Sequence, residues 1–91
     1  MGEVIFRDNF GNLITNVNSS HLAGHPAGEW TVELAGERIE GLSRTYGERP
    51  TGSLIALAGS SGWIEVAVVN GDAARLLTAG AGTTVWFRRK A

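Results

Sequence analysis

The densest group of side chains able to contact a ligand lies in residues 7–16, RDNFGNLITN. A carboxylate, an aromatic ring and several amides surround one glycine inside a stretch that otherwise resembles a β-strand. A side-chain amide buried in a sheet needs a partner, because leaving it unsatisfied costs about 1–3 kcal/mol. Two interpretations stay open. Either a ligand meets these groups, or Asp8 and Asn9 form a turn while Asn12 and Asn16 cap nearby backbone.

Two further segments have ligand-facing chemistry. Gly59-Ser60-Ser61-Gly62 lies between the two most apolar stretches. It is either a plain hairpin loop or a concave set of N–H and hydroxyl donors suited to a carboxylate. Tyr46, near the end of a predicted strand, offers a flat face on which an aromatic ligand would stack with about 0.5–1.5 kcal/mol beyond burial.

Other reactive residue types are better explained by structure. His21 and His25 are four positions apart, but the surrounding glycines and proline predict a loop, so we expect no metal site. The chain has no cysteine, which excludes thiol catalysis and thiolate metal sites. A serine activated by histidine would depend on these same loop histidines. We therefore expect no catalytic residue in the chain, and we interpret the tryptophans as core or interface residues.

Composition narrows the class of protein. The 91 residues predict one domain, 1–91, and 43% hydrophobic residues supply its core. A net charge of -1 argues against nucleic acid as a partner, and the basic end 88–90 is expected to be a solvated tail. No apolar run approaches the roughly 20 residues of a membrane span. With no secretion signal at the start, we expect a cytoplasmic protein and no membrane partner.

The hydrophobic pattern has mostly a period of two, with glycines between segments, which predicts short antiparallel strands. Strands are predicted at 3–7, 12–17, 30–34, 38–44, 53–58, 63–69 and 83–88, and the two most apolar should be covered on both faces. Gly36-Glu37 suits a type II′ turn, and Gly41 indicates a bulge that bends the sheet. One short helix is expected between Gly71 and Thr78, stopped by later glycines. The fold class is mainly all-β, a small antiparallel barrel of about six or seven strands.

Four segments taken in order carry a family resemblance: DNFGNLITN from Asp8, TYGE from Thr45, GSSGWIEVA from Gly59 and NGDAA from Asn70. They resemble the C-terminal barrel domain of the S-adenosyl-L-methionine hydroxide adenosyltransferases, the S-adenosyl-L-methionine hydrolase family related to fluorinase and chlorinase. The resemblance spans about residues 2–87. It implies a two-domain enzyme whose N-terminal α/β domain holds the catalytic groups and is absent from this chain.

The same resemblance implies a role for each matching residue. Asn12 would hydrogen-bond the adenine edge, with the rings of Phe10 and Tyr46 on either side. Asp8 would take the methionine ammonium, and Ser60 and Ser61 would meet the methionine carboxylate. The backbone from Val68 to Asn70 would complete the adenine pocket.

The resemblance also implies the reaction and the assembly. The parent enzyme would hydrolyse S-adenosyl-L-methionine, its substrate, to adenosine and L-methionine without a cofactor. The halogenating relatives have Ser-Arg at Ser60-Ser61 and Phe at Tyr46, so water rather than halide is the expected nucleophile. The barrel would meet its own N-terminal domain and that of a neighbour in a homotrimer, and alone it should be inactive. A free-standing barrel for binding or oligomerisation is the alternative.

Overall fold

A computed structural model describes residues 1–89 and shows seven antiparallel strands with one short helix. The strands are β1 (Gly2–Arg7), β2 (Leu13–Asn18), β3 (Trp30–Leu34), β4 (Glu37–Glu40), β5 (Leu54–Ala58), β6 (Trp63–Val68) and β7 (Thr84–Arg89), and α1 is Ala73–Leu77. Single 3-10 turns cover Ser19–His21, Ala27–Glu29 and Tyr46–Glu48. The predicted strands are therefore confirmed, each within a few residues of its expected bounds.

The sheet curls into a nearly closed barrel. Its strand order is β4-β3-β7-β1-β2-β6-β5, so β4 and β5 are the two edges. The chain leaving β4 crosses the gap between these edges. Ser43 forms an isolated bridge with Leu57, and its N–H donates to the carbonyl of Ala56 at 2.8 Å. This contact closes most of the gap and confirms the predicted barrel class.

The core has three clusters, one of which contains Leu22, Trp30 and Ile64. The other two lie on opposite faces of β5 and β6, which are covered on both faces as predicted. Alternate side chains point to opposite faces of a strand. One set, including Ala56 and Val66, joins the barrel interior with Val4, Leu13, Val32 and Val85. The other set forms a separate cluster on the opposite face of the two strands: Ile55, Leu57, Ala67 and Val69.

Two details of the β3–β4 hairpin differ from the prediction. The turn residues are Ala35 and Gly36, with φ of 48° and 79°, so both lie in the left-handed region that a type I′ turn requires rather than the type II′ turn expected. β4 also ends at Glu40, well short of residue 44. At Gly41, where a bulge was expected, φ is 79° and the chain leaves the sheet. Irregular pairing occurs elsewhere: the register of β1 with β2 shifts between Val4 and Phe6, and that of β2 with β6 shifts between Ile14 and Asn18.

The helix is confirmed, whereas the basic end is not a tail. Asp72 caps α1, accepting the N–H of Arg75 at 2.9 Å, and Thr78 ends it with φ of 51°, before the glycines that were expected to stop it. Arg88 and Arg89 belong to β7, and the Nε of Arg88 lies 2.7 Å from the Glu33 carboxylate on β3. Lys90 lies outside the described residues. Across residues 1–89, no helix is long and apolar enough to cross a membrane.

Candidate functional site

A groove of about 1040 Å³ opens beside the loop between β1 and β2. This volume lies at the upper end of the roughly 300–1,000 Å³ typical of small-molecule sites. Its walls come from that loop, the 44–47 segment, the β5–β6 turn and the chain after β6. Seven of the residues predicted as a site line it, and we call it the Asn12 groove: Asp8, Phe10, Asn12, Tyr46, Ser60, Val68 and Asn70.

Asp8 shapes the loop that carries two of these residues. Its Oδ1 accepts the backbone N–H groups of Phe10 at 2.8 Å and Asn12 at 3.0 Å. The prediction that Asp8 forms a turn is thus confirmed. The turn holds the ring of Phe10 away from the core, 78% exposed. An aromatic side chain this exposed on a tight turn is available for contact with a ligand or a partner.

Gly11 lets the helix approach this loop. Its φ is +83°, and a Cβ at this position would collide with the carboxylate of Asp72, the cap of α1. The carbonyl of Gly11 accepts the N–H of Ala74 at 2.9 Å. A glycine is required here for both reasons, the backbone angle and the close approach. The glycine therefore fixes the position of α1 relative to the groove.

Asn12 differs from Asn16, although one of the two interpretations left open gave both a backbone-capping role. The amide of Asn12 is 8% exposed and contacts side chains: its Nδ2 donates to Asp8 Oδ2 at 3.1 Å and to the Tyr46 hydroxyl at 3.4 Å. The capping interpretation is wrong for Asn12. It is confirmed for Asn16, whose Oδ1 accepts the N–H of Glu3 at 2.9 Å.

Tyr46 reaches across the groove to Glu65 on β6. Its hydroxyl donates to Glu65 Oε1 at 2.8 Å, and burial, together with this hydrogen bond and the Glu65 charge, raises the pKa of Tyr46 to about 12. The segment carrying Tyr46 is held by Glu48, which accepts the N–H of Arg44 at 2.6 Å. That hydrogen bond lowers the pKa of Glu48.

Glu65 was not predicted as a site residue. The available signal was its position as the one charged residue in the strand sequence WIEVAV. Its carboxylate occupies the space that a Cβ on Gly59 would need. Gly59 thus leaves room for an acid in the groove, beyond its role in the turn.

The β5–β6 turn contributes one serine to the groove, not two. The N–H of Gly62 donates to the Gly59 carbonyl at 2.9 Å, and Gly62 has φ of +91°. This matches a type I turn followed by a left-handed residue. Ser60 lines the groove and Ser61 does not, so the structure brings only the first of the two predicted serines to it.

The backbone after β6 offers fewer free groups than expected. The N–H of Val69 donates to Ser53 and its carbonyl accepts from Gly52, both at 2.9 Å. The carbonyl of Val68 accepts from Gly71 at 2.9 Å. The Asn70 side chain donates to Thr51 Oγ1 at 3.0 Å, and its φ is 57°. Val68, Val69, Asn70 and Gly71 all line the groove, with these backbone groups already paired.

The two histidines have structural partners. His21 Nδ1 accepts the N–H of Asn18 at 3.2 Å, and the His25 ring meets Trp30 edge-on with centroids 5.9 Å apart. Within residues 1–89, no three His, Cys, Asp or Glu side chains cluster closely enough to hold a metal ion.

The fold and the groove define a small antiparallel β-barrel domain with a recess formed by three loops and a strand end. The chain belongs to the family described as SAM hydroxide adenosyltransferase C-terminal domain, whose family model matches residues 2–86. This confirms the resemblance found in the sequence.

Three relatives show the same relationship. The chain is 41% identical over 76 residues to the (R)-S-adenosyl-L-methionine hydrolase of Thermus thermophilus, covering 84% of this chain but only 27% of that protein. A crystal structure of an uncharacterized conserved protein from Thermotoga maritima matches 97% of the chain and 34% of its own length, at 28% identity and a TM-score of 0.83. The crystal structure of a conserved hypothetical protein from Thermus thermophilus matches 96% of the chain and 32% of its own length, at 34% identity and a TM-score of 0.76. The chain thus spans about a quarter to a third of these proteins.

Proposed function

We propose that this domain forms one wall of the binding site for S-adenosyl-L-methionine in an enzyme that hydrolyses it to adenosine and L-methionine. One observation carries the proposal: side chains from four separate segments converge on the Asn12 groove, although 52 positions separate Asp8 from Ser60. Such convergence is typical of small-molecule sites, where a few polar groups are placed among apolar walls. The hydrolase name of the Thermus relative is consistent with it.

Phe10 and Tyr46 are the groups proposed to hold the adenine ring. Phe10 is 78% exposed and Tyr46 is 43% exposed, and both side chains line the groove. Among the described residues the two rings make no contact with each other, so binding a flat ligand would not have to break a packed aromatic pair. Asn12, at the base of the groove, is the group proposed to contact the edge of that ring.

Asp8 and Ser60 are the groups proposed for the methionine end. A carboxylate has about four acceptor positions. Asp8 uses three of them, for the N–H groups of Phe10 and Asn12 and the Asn12 amide, which leaves one for an ammonium group. The hydroxyl of Ser60 is a candidate donor to the carboxylate. Ser61 does not line the groove, so the proposal assigns this role to Ser60 alone.

In the proposed reaction, the oxygen of water bonds to the ribose C5′ while the C5′–S bond breaks. The bonding pair stays on sulfur, so the positive sulfonium becomes the neutral thioether of methionine, and the proton lost by water goes to solvent. The sulfonium leaves readily, so orienting substrate and water supplies much of the catalysis. The barrel contributes this positioning, and the N-terminal domain contributes the groups that activate water.

The remaining parts of the proposal concern the intact enzyme. The barrel wall is completed by the N-terminal α/β domain of its own subunit and of a neighbour in a homotrimer. The enzyme works in the cytoplasm and needs no cofactor, and the isolated barrel is inactive. The three-quarters of the Thermus relative that lie outside the match leave room for such a domain.

The proposal is tested by comparing full-length enzyme with the 91-residue chain. Each is incubated with S-adenosyl-L-methionine, and adenosine and methionine are quantified by chromatography. We expect equal amounts of both products from the full-length enzyme and none from the chain. Adenosine release by the pure chain, abolished by a substitution in the Asn12 groove, would show that the chemistry is located here instead.

A further inference from the structure

A chain of hydrogen bonds crosses the Asn12 groove between two acids. It begins at Asp8 Oδ2, which accepts from Asn12 Nδ2 at 3.1 Å. The same nitrogen donates to the Tyr46 hydroxyl at 3.4 Å, at the long end of the hydrogen-bonding range. The Tyr46 hydroxyl donates to Glu65 Oε1 at 2.8 Å.

The acids at both ends fix the direction of every hydrogen in this chain. An ionised carboxylate only accepts hydrogen bonds. The amide nitrogen of Asn12, not its oxygen, must therefore face Asp8, which removes the usual ambiguity of an amide orientation. The Tyr46 proton must likewise point to Glu65. The phenolic oxygen is then left as an acceptor for the second hydrogen of Asn12 Nδ2.

Both N–H groups of the Asn12 amide are thus engaged within the protein. Its carbonyl Oδ1 makes no hydrogen bond among the described residues, and it is not one of the buried atoms left without a partner. Oδ1 is therefore the hydrogen-bonding atom of the Asn12 side chain that remains free to contact a ligand. At this point the wall of the groove accepts hydrogen bonds and does not donate them.

The position of Glu65 in the sheet holds its carboxylate beside the Tyr46 hydroxyl. Glu65 lies within the sheet, with Ile14 of β2 opposite on one side and Leu57 of β5 on the other. Its carboxylate fills the space left by the absent side chain of Gly59. A Glu65 side chain in this position keeps the Tyr46 proton from turning toward a ligand.

We infer that Tyr46 and Glu65 are positioning residues that make Asn12 an acceptor only, so that the groove selects a purine with a 6-amino group over one with a 6-oxo group. An amino group donates to Asn12 Oδ1, whereas an oxo group faces another acceptor and loses its hydrogen bond. The inference rests on the proposed function and adds a specificity to it. A site that leaves a buried polar group unpaired discriminates more strongly than one that only misfits in shape.

The test uses adenosine and inosine as competitive inhibitors of S-adenosyl-L-methionine hydrolysis by the full-length enzyme. These nucleosides differ at the 6-position of the purine, amino in one and oxo in the other. One unpaired polar group costs about 1–3 kcal/mol, so we expect adenosine to inhibit about 10- to 100-fold more strongly.

Tyr46→Phe supplies the decisive variant. It frees one N–H of Asn12 to donate to a 6-oxo group. We expect inosine to inhibit this variant more strongly than it inhibits the wild type. The preference for adenosine over inosine should therefore shrink because inosine binds better, not because adenosine binds worse. A merely structural role for Tyr46 predicts that both nucleosides weaken equally, and that result would overturn the inference.

Variants at Glu65 give a second, independent reading if Tyr46→Phe folds poorly. Glu65→Ala frees the Tyr46 proton and should also reduce the preference for adenosine over inosine. Glu65→Gln retains an acceptor oxygen for that proton and should largely keep the wild-type preference. Glu37→Ala, in the remote β3–β4 hairpin, is the matched control and should leave the preference unchanged. A preference unaffected by Glu65→Ala would count against the inference.

The outcomes separate the inference from the function on which it rests. Equal competitive inhibition of the wild type by adenosine and inosine overturns the inference and leaves the proposed function standing. A full-length enzyme that does not hydrolyse S-adenosyl-L-methionine overturns the proposed function and the inference with it.

Discussion

Two concave regions of this barrel differ in what their polar groups do. The Asn12 groove has a volume of about 1040 Å³. A second recess of about 310 Å³, which we call the His25 pocket, is lined mainly by apolar side chains near the 19–27 segment, including Leu22, Leu42 and Ile64. Both are open hollows of a kind that suggests a binding site. Their hydrogen bonding distinguishes them.

In the His25 pocket the polar groups serve the local fold. Trp30 Nε1 donates to the Leu22 carbonyl at 3.1 Å, and the His25 ring packs against Trp30. The hydroxyl of Ser43 is shielded from solvent and has no partner among the described residues. In the Asn12 groove, by contrast, Asn12 Oδ1 is left open to a ligand beside two exposed aromatic rings. The unpaired hydroxyl of the His25 pocket is closed off from solvent, whereas the unpaired oxygen of the Asn12 groove is not. Accessible hydrogen-bonding capacity, more than volume, therefore marks the candidate site.

The largest effect is expected from Gly11→Ala, which attacks the loop that builds the groove. A left-handed φ costs a residue with a Cβ about 1–2 kcal/mol, and the collision with Asp72 adds to this. We expect the free energy of unfolding to fall by at least about 2 kcal/mol, measured by urea denaturation. Gly24→Ala, where nothing lies within 4 Å of the added Cβ, is the control and should change stability by under about 0.5 kcal/mol. Equal effects of the two substitutions would contradict this account of the loop.

The next prediction separates ligand contact from backbone capping in two asparagines of the same segment. In the full-length enzyme, Asn12→Ala should lower kcat/KM by a factor equivalent to about 1–3 kcal/mol, because the adenine edge loses its partner. The barrel should stay folded. Asn16→Ala removes a partner of the Glu3 N–H and should lower the melting temperature without affecting kcat/KM. Should Asn12→Ala reduce stability alone, Asn12 would leave the proposed site.

Ser43→Ala tests the His25 pocket, the second of the two regions compared. A buried hydroxyl without a hydrogen bond destabilises the folded state, so its removal should raise the free energy of unfolding by about 1 kcal/mol. Calorimetry of the two proteins measures the change. We expect no effect on kcat/KM, since the residue lies outside the Asn12 groove. A loss of activity with unchanged stability would mean that the His25 pocket takes part in function.

The smallest effect concerns the ionisation of Tyr46, the one tyrosine of the chain. Its pKa is raised from 10.0 to about 12, so the folded state favours the protonated phenol. The contribution of protonated Tyr46 to the free energy of unfolding is fully present below pH 10 and is lost as the pH rises from 10 through 12. Phenolate absorbance of the 91-residue chain should titrate near pH 12 when folded. In Glu65→Gln the pKa should fall but stay above 10, because burial is the larger cause. The same folded midpoint in the wild type and in Glu65→Gln would refute the Tyr46–Glu65 contact.

The sequence predicts the barrel well because each strand carries its own hydrophobic pattern, alternating in most strands and nearly continuous in β5 and β6. It predicts the short helix for a similar reason, since the cap Asp72 directly precedes it. These signals are local. The same holds for the turn at Asp8, whose partners lie two and four positions away.

What the sequence does not predict depends on contacts between distant segments. Glu65 is a groove residue because the 44–48 segment places Tyr46, which is 19 positions earlier in the sequence, beside its carboxylate. Arg88 seemed part of a tail because its partner Glu33 is 55 positions earlier. The position of Ser61 depends on how the β5–β6 turn bends, which the pattern GSSG alone does not fix.

The central claim is that adenine binds between Phe10 and Tyr46 in the Asn12 groove. It is tested most directly by a crystal structure of the full-length enzyme with adenosine bound. We predict that the purine ring lies between these two side chains with its edge at Asn12, and that the His25 pocket holds no nucleoside. Adenosine bound in the active site with its ring away from Phe10, Asn12 and Tyr46 would contradict the account.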